Sequence, residues 1–117
     1  MKKIISLKLY NDNILNKEYK DINAIHINDR YSMILEDVKT SLDRDFFIRE
    51  SEEYKFVLNI KEKKALYTLK MTNTIFDIEV DKIIYKKEKN TIKLEYKISS
   101  EEGNLKIVIE EKGDINE

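Results

Sequence analysis

The feature that most constrains this chain is an alternation of apolar and polar side chains with a period of two, repeated over five successive segments. Between Tyr54 and Lys61, Phe56, Leu58 and Ile60 share one side. Tyr67, Leu69 and Met71 alternate with Thr68, Lys70 and Thr72, and Phe76, Ile78 and Val80 alternate with Asp77, Glu79 and Asp81. Ile92, Leu94, Tyr96 and Ile98, and then Leu105, Ile107 and Ile109, follow the same rule. Such a period belongs to strands with one buried face. Short polar links join them: Glu62-Lys63-Lys64, Asn73-Thr74, the tract Lys86 to Asn90, and Ser99 to Gly103, where Gly103 permits a positive φ. Sequential hairpins make a meander, which hides its apolar face and its edges by closing on itself. The expectation is one all-β domain over residues 1–117, an antiparallel up-and-down barrel of about eight to ten strands.

The N-terminal half is less regular. Ile5, Leu7 and Leu9 alternate, and Ala24 to Ile27 has strand composition. From Tyr31 to Ile48 two readings compete. Ile34, Val38 and Leu42 recur every four residues, as on a helix that Asp29 would cap. The preferred reading is three strands, Tyr31–Glu36, Val38–Leu42 and Phe46–Arg49, with a tight turn at Asp43-Arg44-Asp45.

Composition removes most familiar chemistries. Of 117 residues, 41% are apolar and 38% charged, with Lys+Arg 22 against Asp+Glu 23 and a formal net charge of −1. The signs are interleaved, so the chain lacks the basic stripe of a nucleic-acid binder. With no Cys, there is no disulfide, thiolate nucleophile or Cys-ligated zinc. Two glycines exclude a glycine-rich phosphate loop, and a single His excludes a multi-histidine zinc site. No cofactor or metal is expected. The apolar run Ile4-Ile5-Ser6-Leu7 stops at Lys8, short of the roughly 7–15 residues of a secretory core. No stretch approaches the ~18 apolar residues of a membrane span. A cytoplasmic protein without a membrane partner is expected. Lysine (19) far exceeds arginine (3), a bias toward A/T-rich codons that suggests a low-GC bacterial genome.

Few residues suggest chemistry. His26 is the one histidine, the residue type whose unperturbed pKa lies near neutrality, but Ile25-His26-Ile27 sets it opposite two isoleucines and hence toward solvent. The carboxylate pairs Glu36-Asp37, Asp43 with Asp45, Glu52-Glu53 and Glu101-Glu102 lack calcium-loop spacing and fall mostly in expected turns. Arg49 ends the apolar run Phe46-Phe47-Ile48. Its guanidinium is suited to anchor a carboxylate or phosphate, or to close the rim through Glu50 or Glu53. Tyr31, Tyr54, Tyr67, Tyr85 and Tyr96 supply an amphipathic wall if their rings point inward.

In the C-terminal half, Asn90-Thr91-Ile92-Lys93-Leu94-Glu95-Tyr96-Lys97-Ile98, a polar link, Asn104 to Ile109 and Gly113 resemble the end of the YwiB-like family. Leu69-Lys70-Met71-Thr72 with Phe76-Asp77-Ile78-Glu79 resembles that family's strand–turn–strand segment, and Phe47-Ile48-Arg49 its apolar run followed by Arg. The resemblance spans residues 46–113 and follows only strand order before them. It implies a calycin-like (lipocalin-like) barrel and brings no activity, cofactor or catalytic residue. Family glycines at turns are absent near Thr74 and Asn90.

The functional expectation is non-enzymatic binding of a small apolar or amphipathic molecule in the barrel, with Arg49, Tyr67 and Tyr96 as contact residues. The alternative is an interaction or scaffolding protein whose barrel core is filled. No constellation of base and nucleophile speaks for an enzyme.

Overall fold

A computed structural model describes residues 1–115. Ten strands follow one another: β1 (Lys2–Asn11), β2 (Ile14–Ile27), β3 (Arg30–Leu35), β4 (Val38–Leu42), β5 (Phe46–Glu50), β6 (Tyr54–Asn59), β7 (Lys64–Leu69), β8 (Thr74–Glu88), β9 (Thr91–Ile98) and β10 (Leu105–Asp114). Each pairs antiparallel with the next, and β1 pairs with β10 to close the barrel. The up-and-down barrel expected from the alternation is what the chain forms.

The ambiguous region resolves into strands. Asp43 Oδ1 accepts the N–H groups of Asp45 (2.8 Å) and Phe46 (2.7 Å), fixing the turn between β4 and β5. The four-residue spacing of Ile34, Val38 and Leu42 spans two strands and a turn: Leu42 is buried, while Ile34 stands 65% exposed on the outside. The polar tract from Lys86 is mostly strand, not link. β8 runs on to Glu88, with Lys86 opposite Lys93 and Glu88 opposite Thr91.

With two glycines in the chain, Asp and Asn take most left-handed turn positions, the other residue types that tolerate them best. Asp12-Asn13 and Glu36-Asp37 both have positive φ at two successive residues, the signature of two-residue hairpins whose twist matches the strands. Gly103 (φ 95°) is constrained twice, since a Cβ there would lie 2.7 Å from Asn11 Oδ1.

Ile5, Leu7, Leu35, Leu42, Leu58, Leu94 and Ile109 are fully buried on the inner side. A ten-stranded barrel is wide enough to enclose a ligand if it stays round. This one measures 42 × 30 × 25 Å, and opposite walls touch. The rings of Phe47 (β5) and Phe56 (β6) lie 6.3 and 6.2 Å from that of Tyr96 on β9. At another level, the Tyr31 hydroxyl of β3 donates to Glu111 of β10. At both levels side chains occupy the lumen.

Candidate functional site

The wall of the barrel opens where β2 parts from β3. β2 and β3 pair only from Ile25–Ser32 to Ile27–Arg30. From Ile14 to Ala24, β2 is paired with β1 alone. The cause is local. Where Ile5 faces Ile22 and Leu7 faces Tyr19, β2 carries one extra residue, and Asp21 there adopts φ 53°. A bulge bends its strand and re-aims the residues after it. Beyond the split, side chains alone bridge the two strands. The Glu36 carboxylate accepts from the Tyr19 hydroxyl (2.7 Å) and from Lys17 Nζ (2.5 Å). Those two contacts, Lys17 first, hold its carboxyl below the usual range.

A concavity of about 870 Å³ opens at this seam and spreads over the outer face of the sheet. Its shape follows from one cross-strand row. Ile25, Ser32, Ser41 and Ile48 are successive neighbours on β2, β3, β4 and β5, so two short side chains lie between two bulky ones. At ~4.8 Å per strand the two isoleucines stand about 14 Å apart, with a trough between them. Beneath lie buried Ala24, Met33 and Thr40.

The next row outward is charged: Ile34, Lys39, Glu50 and Lys55 are cross-strand neighbours on β3 to β6. Glu50 is ion-paired with Lys70 at 2.7 Å. That hydrogen bond first, then the charges of Lys55 and Lys39, keeps the Glu50 carboxyl below its ordinary value.

Arg49, Tyr67 and Tyr96, singled out from the sequence, are gathered inside the barrel around Phe56. Arg49 and Tyr67 are its cross-strand neighbours on β5 and β7, and Tyr96 approaches it from β9. None of the three lines the trough. Arg49 forms no ion pair with Glu50 or Glu53; its Nε is buried without a hydrogen-bond partner among the described residues. The Tyr96 hydroxyl is pushed up to about 12 by burial, with the Arg49 charge pulling the other way. Tyr67 stacks on Tyr54 at 5.5 Å. All five tyrosines of the expected wall are buried or half-buried.

His26 corrects the sequence reading. It does not face solvent: Ile25 (49%) and Ile27 (61%) do, and the His26 ring stacks on Tyr31 at 4.1 Å with Nε2 buried and unpartnered among the described residues. Its strand-mates Ile22 and Ala24 set the parity, and both point inward. The neighbouring Glu111 receives Tyr31 and lies 3.1 Å from Lys3 Nζ, a polar layer that fastens β1, β3 and β10 together at one end. Among the described residues, no three His, Cys, Asp or Glu side chains come close enough together to hold a metal ion.

The sequence reading missed the seam residues. Their signal was present as isoleucines (Ile25, Ile34, Ile48) at outward parity, but which of them adjoin across strands becomes visible only once register is known. No family model, curated protein or solved structure matches this chain.

Proposed function

We propose that this barrel is a non-enzymatic binding protein that holds a small amphipathic molecule in the seam between β2 and β3. The trough is the observation that carries this reading: about 870 Å³, walled by isoleucine and edged by charge. Pockets for small molecules fall in this range of volume and combine apolar walls with a few polar groups. The lumen, by contrast, holds Phe47, Phe56 and Tyr96. Arg49, Tyr67 and Tyr96 belong to the layer that fixes the wall from within. The alternating runs of β7 to β10 support kinship with the YwiB-like proteins.

Ser41 sits at the centre of the trough and points outward, so Ser41→Trp fills it from the solvent side. In native mass spectrometry of protein purified from its host, the wild type is expected to carry an adduct and the variant to run bare at unchanged thermal stability. Bare wild-type protein would overturn the reading. The rival, an interaction protein with a filled core, draws support from exposed Leu69, Met71, Ile75 and Phe76 on the β7–β8 hairpin. A bare wild type whose self-association disappears in Ile75→Lys would move the assignment there.

A further inference from the structure

We infer that the seam selects an anionic amphiphile, whose carboxylate or phosphate head is held by Lys39 and Lys55; this rests on the binding function proposed above. The charges round the trough are not equally committed. Toward the β2–β3 and β4–β5 turns, Arg30 is paired with Asp43 (3.0 Å) and Arg44 with Asp29 (3.1 Å). On the opposite side, Glu50 is already neutralised by Lys70. Lys2, at the β1 end of the lining, has a partner of its own; Lys39 and Lys55 lie on either side of Glu50, one strand away each, without an ion pair among the described residues.

Two strands of separation put their backbones about 10 Å apart. The four-carbon stems are long enough to bring both ammonium groups onto one head lying over Glu50. The apolar body then runs back along the same faces, over Ser41 on β4 and between Ile34 and Ile48, into the isoleucine trough. Head and body are thus served by adjacent rows of one sheet.

A competing field exists. Glu36, Asp37, Glu52 and Glu53 line a second concavity that shares Lys39. They disfavour an anion on that side of Lys39 and push the head toward Lys55. The attraction is therefore modest. Two exposed ion pairs are worth about tenfold in affinity, and screening removes most of that at high salt.

The test is an NMR titration that follows the amides of Ser32, Ser41 and Ile48 with four ligands of equal chain length: octanoate, octyl phosphate, octanol and octyltrimethylammonium. Octanoate or octyl phosphate is expected to bind about tenfold more tightly than octanol, the tighter of the two naming the head. Octyltrimethylammonium is expected to bind most weakly. In Lys39→Gln/Lys55→Gln, and in the wild type at high salt, anion and alcohol should converge. Equal affinity for octanoate, octyl phosphate and octanol in the wild type, or preference for the cation, overturns the anionic head and leaves the seam standing. If no ligand moves those amides, the binding function falls as well.

Discussion

One hydroxyl shows how much a single residue contributes here. Tyr31 is buried on β3, yet its oxygen reaches Glu111 on β10, three strands away round the barrel. The Glu111 carboxyl is held below its ordinary value of 4.5, chiefly by this bond and then by Lys3. Burial and the same bond push the Tyr31 hydroxyl up. Removing the hydroxyl in Tyr31→Phe should cost about 1.5–3 kcal/mol in urea unfolding at neutral pH, as for hydrogen bonds to charged groups. Linkage sets the sign with pH. A carboxyl with a depressed folded pKa stabilises fully above its unfolded value and loses that contribution as pH falls through the folded one. The gap between variant and wild type should therefore close below about pH 4; a gap constant down to pH 2 would contradict it. Elsewhere burial decides. Leu94→Ala, at 0% exposure, should cost about 2–5 kcal/mol, and Ile75→Ala, at 62%, under ~0.5 kcal/mol, both read from denaturation midpoints. At this scale the sequence was largely legible, because alternation states which way Tyr96 or Leu58 points. It failed at His26, where two adjacent isoleucines outvoted the parity of Ile22 and Ala24, and at Met71, read onto a buried face but exposed in the turn after β7.

Elements differ in how openly the sequence displays them. β9 is sandwiched between β8 and β10, and its alternation is unbroken. β2 has 14 residues, but most are exposed on both faces, since one of its edges is unpaired over much of its length. A strand that buries little needs no alternation, which is why Leu15 to Asn23 gave no strand signal. The last residues of β8 hid because all three are charged: Lys86 and Glu88 lie at outward parity, and Lys87, opposite buried Ile92, reaches Asp29 at the end of the barrel. The Asp12-Asn13 turn went unread, whereas the link Glu62-Lys63-Lys64 was read as a turn, and Lys63 there takes φ 56°. That conformation strains any residue with a Cβ. Lys63→Gly should raise stability by up to ~1 kcal/mol and Lys63→Val should lower it, measured as shifts in melting temperature.

For the molecule as a whole, the flattened barrel shares its stability unevenly. Pairing on both edges and burial protect most of β9 and β10, whereas β2 before Asp21 is paired on one edge only, and so is β8, with β7 as far as Glu79 and with β9 from Val80. Hydrogen exchange should be slowest in β9 and β10 and fastest in those two arms, and uniform protection would argue against the split wall. The sequence by itself determined that the chain makes strands, where most of them turn and which side chains they bury. A side-chain period of two is a property of the local backbone and needs no partner to be read. The tertiary structure alone decided that the walls meet across Tyr96, that β2 parts from β3, and that Ile25, Ser32, Ser41 and Ile48 form one row beside Lys39 and Lys55. Those alignments join residues on different strands. They depend on register and on where pairing stops, and a one-residue slip would replace every member of the row.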